Sequence, residues 1–140
     1  MTKVSVLCTA EALEATLAFG DSSSHKVMAE AAKEGRLFAL SETKIEFSEA
    51  FDQDADFVRN NITTASTTAN DIKRSGMIQT KLSNKFSFDS YESAQKVDLL
   101  ASAKRLGLAI LICTDSETPP TFEQLCEAIG CDCVDCAAFV

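Results

Sequence analysis

The chain has 140 residues, of which 46% are hydrophobic and 24% charged, with 21 acids against 13 bases and a formal net charge of −8. That length suits one domain with a sizeable core. The balance excludes a disordered chain, a fibrous repeat and a broad phosphate-binding surface, which needs clustered Lys and Arg. No apolar run reaches the ~18–20 residues that span a bilayer. Residues 1–20 carry Lys3, Glu11 and Glu14 and do not read as a secretory signal. A cytoplasmic protein is expected, and its six cysteines then read as reduced thiols. His25 is the single histidine, so a two-histidine metal site is excluded, as is any Ser-His-Asp triad that does not use it.

In chain order, Lys3–Cys8 (KVSVLC) predicts a short buried strand, and Ala10–Phe19 a helix stopped by Gly20. Ser22–Ser24 supply caps for a helix over His25–Glu34, ended by Gly35. Leu37–Leu40 is a second strand. Glu42–Phe51, with Ile45, Phe47 and Phe51, reads as a helix with those side chains in the core. Residues 52–90 are the variable middle: Asp52–Asn61 continues as a helix, and TTASTTAN (63–70) suits a loop or a capped helix entry. Met77–Leu82 alternates like a strand, as do Phe86 and Phe88. Ser90 then caps a helix from Tyr91 to Leu106, ended by Gly107. Leu108–Cys113 (LAILIC) is an apolar strand. Pro119 and Pro120 lead into a helix over Thr121–Ile129, Gly130 stops it, and Cys131–Cys136 is a last short strand. Apolar strands alternating with helices predict one domain over residues 1–140, a three-layer α/β/α sandwich around a mainly parallel sheet of about four strands.

In such sheets ligands sit beyond the carboxyl ends of the strands, which directs attention to Cys8–Thr9, Ser41–Glu46, Cys113–Glu117 and Cys136. Glu42 and Glu46 lie one helical turn apart, and Asp115 and Glu117 follow LAILIC. Converging carboxylates of this kind hold Mg2+ and can activate water for phosphoryl displacement. The same acids equally suit solvated helix starts, where the helix dipole favours negative charge.

These segments resemble the PIN domain, the fold of many metal-dependent ribonucleases, including those of toxin–antitoxin pairs. The resemblance runs through KVSVLCTA, EGRLFALSETKIEFSEAF, DLLASAKRLGLAILICTD and TFEQLCEAIGCDCVD, with residues 52–90 as the variable middle. It implies Glu46 and Asp115 as ligands for Mg2+ or Mn2+, Asp98 as a further acid if its helix is shifted, and Thr9 as the hydroxyl that orients a water. It also implies two replaced acids. The first family Asp falls on Cys8, and the Asp eleven residues before the helix-ending Gly107 falls on Lys96. The expectation is therefore a PIN-like domain related to Mg2+/Mn2+-dependent ribonucleases, with catalysis weak or lost. The alternatives are an active toxin-type endoribonuclease, and a non-catalytic or redox α/β interaction module using Cys8, Cys113 and Cys136. RNA, a small antitoxin-like protein and a second copy of the chain are the partners the resemblance implies; no membrane is.

Two further constellations remain. Cys126, Cys131, Cys133 and Cys136 could bind Zn2+, yet they lack a paired C-x-x-C knuckle and read better as structural thiols. Cys8 and Cys113 end strands expected to be neighbours and could form a redox pair. Arg36, Lys44, Arg59, Lys73, Arg74, Lys81 and Lys85 are the bases best placed by sequence to meet a nucleic acid, or else a solvated face.

Overall fold

Four- and three-residue runs, most of them apolar, form the strands of a five-stranded sheet, seen here in a computed structural model that describes residues 4–113 and 119–139. The strands are β1 (Val6–Cys8), β2 (Leu37–Leu40), β3 (Thr63–Ala65), β4 (Ala109–Ile112) and β5 (Cys133–Asp135). Their spatial order is β3-β2-β1-β4-β5, and every neighbouring pair is parallel. The expected four-stranded sheet gains β3 as a fifth, edge strand. Its Thr63 and Thr64 are exposed, so it lacks the apolar run that marks the central strands.

Side chains alternate between two cores, as the period of two along a strand requires. Val6, Cys8, Leu37, Ala39, Ala109 and Leu111 face one; Leu7, Leu40, Ile110 and Ile112 face the other. The first core is covered by α1 (Ala10–Leu13), α2 (Ser22–Lys33), α3 (Ser41–Ala50), α4 (Asp52–Asn61) and the last turn, through Leu13, Met28, Phe47 and Val58. The second is covered by α5 (Ala69–Leu82), α6 (Tyr91–Leu106) and α7 (Phe122–Ile129), through Ile78, Val97, Leu100 and Leu125. This is the three-layer arrangement. No helix among the described residues is long and apolar enough to cross a membrane.

Helix boundaries follow capping chemistry. α2 begins at Ser22, three residues before His25, because the Asp21 carboxylate accepts from the Ser24 amide at 2.9 Å. His25 is exposed and bonds the Leu17 carbonyl. α1 runs on into a π-helical turn, Glu14–Ala18, after which Gly20 passes so close to Thr16 that a Cβ would lie 2.1 Å from its carbonyl oxygen. α6 ends on Gly107, whose φ of 70° is the left-handed conformation of a helix stop.

The expected strand at Met77–Leu82 is helical instead. Thr68 and Asp71 form a reciprocal capping box that starts α5. Asp71, Ser75, Ile78 and Leu82 then recur at helical spacing toward α6, a period that the exposed Met77 obscures in the sequence. Phe86 and Phe88 form no strand; their rings meet edge to face, 6.4 Å apart, against the second core.

Asp71, 1% exposed, also ties α5 to α6. Arg105 Nε reaches both its oxygens at 2.9 and 3.0 Å, Ser102 Oγ donates at 3.2 Å, and the Thr68 amide at 2.9 Å. Burial pushes this carboxyl up, but the bonds from Arg105 and Thr68 outweigh it and hold the pKa at about 2, below the ordinary 3.8. A depressed folded-state pKa stabilises above the unfolded value, and that contribution is lost as pH falls from about 4 toward 2. Chemical denaturation across that window should show a steep acid limb. Asp71→Asn, leaving Arg105 without its counter-charge, should cost roughly 2–4 kcal/mol at pH 7 and flatten the limb. Equal acid slopes in the two proteins would exclude this role.

Candidate functional site

A cleft of about 300 Å³ opens beyond the carboxyl ends of β1 and β2. The chain runs outward from β1 to β2 and β3 and then returns to place β4 on the other side of β1. The β1–β4 junction is therefore the switch point, where parallel α/β sheets leave a crevice. Thr9, Ala10 and Glu11 follow β1 into the cleft, and Glu42, Thr43 and Glu46 follow β2 on α3. The N-terminal half of α6 makes the far wall, and Phe122 of α7 closes one side.

The structure thus brings Thr9, Glu46, Lys96 and Asp98 to one cleft. No shift of α6 is needed for Asp98. Tyr91, Gln95 and Asp98 form one stripe of the helix and Glu92, Lys96 and Leu99 the adjacent one, so Lys96 and Asp98 flank the face that lines the cleft. Asp98 is half-buried and Glu46 exposed. Asp115 and Glu117 lie outside the described residues.

Cys8 is not among the lining residues. It has no exposed surface, packs with Leu13, Met28 and Leu111 in the first core, and burial pushes its thiol up to about 12. A carboxylate there would stand in the apolar core. Lys96 is 7% exposed; its Nζ donates to the Pro120 carbonyl at 2.9 Å and lies 5.4 Å from the centre of the Phe122 ring. An ammonium so held is shielded by an acceptor and a π face.

Thr9 is buried and already engaged. Its hydroxyl donates to the Leu111 carbonyl at 2.9 Å and accepts from the Ala12 amide at 3.2 Å, capping α1 and pinning β1 to β4. Only its remaining lone pair is open to a water.

Carboxylates not singled out in the sequence complete the rim. Glu11 and Glu92 join Glu42, Glu46 and Asp98, while Ile72 and Tyr91, 58% and 81% exposed, give it apolar edges. Glu11 sits two residues beyond the strand-end pair Cys8–Thr9, so reading a full turn past each strand finds it. Burial, then the nearby charges of Glu11 and Glu46, raise the pKa of Glu14. Even so, among the described residues no three His, Cys, Asp or Glu side chains gather to hold a metal ion.

The bases expected to meet RNA are dispersed. Arg36 pairs with Glu34 and Arg59 with Asp56. Lys44, whose pKa burial lowers, bonds the Ile62 carbonyl and the Thr64 hydroxyl. Lys73, Arg74 and Lys81 lie on the exposed side of α5. The C-terminal cysteines divide between the cores, Cys126, Cys131 and Cys133 in the second and Cys136 in the first, which separates the would-be zinc ligands.

Neither a protein-family model nor a curated protein sequence matches the chain.

Thr9→Val keeps the shape and removes the hydroxyl. It should lower stability by about 1–3 kcal/mol, since it orphans the Ala12 amide and leaves the Leu111 carbonyl only its bond from the Thr9 amide, while Thr9→Ser should retain most of it. Urea unfolding of the three proteins measures this; a Val variant as stable as the parent would leave the hydroxyl without a structural role.

Proposed function

We propose that the chain is a PIN-like binding domain related to Mg2+/Mn2+-dependent ribonucleases, with catalysis weak or lost, whose acidic cleft receives a basic segment of a small partner protein. The observation that carries this reading is Lys96. At the position where the resemblance expects a metal-binding Asp, the side chain is a buried ammonium bonded to the Pro120 carbonyl. A cation fixed in the wall of a carboxylate site opposes a divalent ion by charge and occupies space that the ion's hydration needs. Cys8 supports the same reading, since the other replaced acid position offers a core thiol.

Five carboxylates remain at the cleft, in a chain of formal net charge −8. Such a field attracts basic segments and repels RNA phosphates. The exposed Tyr91 and Ile72 supply apolar contact at its edge, and an aromatic face suits a guanidinium.

A second reading keeps catalysis. Glu46 and Asp98 do line one cleft, and with Asp115 they would make an active toxin-type endoribonuclease.

Thermal melts with and without millimolar Mn2+ separate the two. A metal that binds only the folded form at ~100 times its dissociation constant adds ~2.7 kcal/mol, a rise of several degrees. The expected result is no rise in the parent and no cleavage of a generic single-stranded RNA. A fluorescent Arg-rich peptide should bind, and should lose about tenfold in affinity in the Glu42→Gln/Glu46→Gln variant. A Mn2+-dependent rise that vanishes in Asp98→Asn or Asp115→Asn would establish the nuclease instead.

A further inference from the structure

The strand-end cysteines are paired differently from the sequence expectation. Cys8 lies level with Leu111 in the β1–β4 register, so it stands two residues short of Cys113. Ile112 lies level with Asp135 in the β4–β5 register, and the next residue on each chain is a cysteine, Cys113 and Cys136. Leu111, Cys113, Val134 and Cys136 all belong to the first core, so both thiols point to the same face of the sheet. Burial, then the neighbouring Cys113, pushes the Cys136 thiol up to about 11. Neighbouring strands run about 4.8 Å apart, inside the ~4.4–6.8 Å between Cα atoms that a disulfide spans.

We infer that Cys113 and Cys136 form a reversible disulfide under peroxide, a redox clasp between β4 and β5. This rests on strand register and stands independently of the binding function proposed above. Cys113 is half-buried and Cys136 is 8% exposed, so Cys113 is the sulfur an oxidant reaches. Its thiolate attacks the O–O bond of hydrogen peroxide; that bond breaks, Cys113 becomes a sulfenic acid, and hydroxide leaves and takes up a proton. The Cys136 sulfur then attacks Cys113, the S–O bond breaks, and a second water departs with the Cys136 proton. In sum, two thiols and one peroxide give one disulfide and two waters. A dithiol reductant reverses the change.

The test is oxidation of the full chain with equimolar hydrogen peroxide, followed by thiol titration in denaturant and mass spectrometry. All six cysteines are thiols at the start, and four should remain titratable, with the mass lower by two hydrogens. Cleavage after Glu117, Glu123 and Glu127 separates Cys113 from Cys136, and tandem spectra should show those two joined. The oxidised protein should melt roughly 5–10 °C higher, and dithiothreitol should abolish the rise. In Cys113→Ser no cross-link should form. In Cys136→Ser, Cys113 should stop at a sulfenic acid that dimedone traps. Six thiols surviving in the parent, a link between any other pair, or a link found only between two molecules would each overturn the inference. The half-buried Cys113 site keeps the comparison usable if the variant at buried Cys136 fails to fold.

Discussion

Val6, Leu7 and Cys8 have no solvent-exposed surface, and the rest of the fold follows from covering them. A strand apolar on both faces is stable only with a layer of helices on each side. Parallel pairing with β2 and β4 reinforces this, because each parallel return needs a crossover long enough to hold a helix. The chain leaves β1 toward β2 and β3 and comes back to place β4 on the other side of β1, and the gap between the two connections at its carboxyl end becomes the cleft. The site is thus set by the burial of three residues, none of which lines it.

Charge is distributed along the same lines. Carboxylates that follow β1 and β2 gather around the cleft because helix starts favour them and water reaches them. Burial, then the charges of Glu11 and Glu46, raise the pKa of Glu14. A metal would relieve that repulsion, as would a cationic side chain. Lys96 brings one positive charge to the opposite wall, bonded to the Pro120 carbonyl. The five carboxylates of the cleft outnumber it and keep an electrostatic demand, which a basic partner can meet from solvent.

Much of the layering was legible in the sequence. LAILIC, KVSVLC and LFAL are buried strands by composition, and Ser90, Gly107 and Gly130 bound their helices as capping chemistry expects. What stayed hidden has specific physical causes. β3 is an edge strand with two exposed threonines, so pairing with β2 and not hydrophobicity makes it a strand. α5 is held by an ion pair to Arg105, 34 residues away, which no local window contains. Glu46 and Thr9 were legible as cleft residues because strand ends mark the crevice, whereas Lys96 and Asp98, within α6, were reached only through the family resemblance. Cys8 stands off the cleft because strand alternation turns it into the first core. The side chain of Lys96 was not legible at all, since its acceptor and its ring come from another element.

That last dependence links the cleft to the sulfur pair. Pro120 and Phe122, which hold Lys96, lie on the stretch of chain between Cys113 and Cys136. A buried ammonium tolerates little movement of the groups around it, because each bond lost costs desolvation that is not regained. The stretch is anchored at its start by β4 and at its end by β5, and the two thiols stand at those anchors. Hydrogen bonds, a ring and a pair of sulfurs hold this edge, so covalent closure of the sulfurs would restrain the backbone that fixes the charge in the cleft wall.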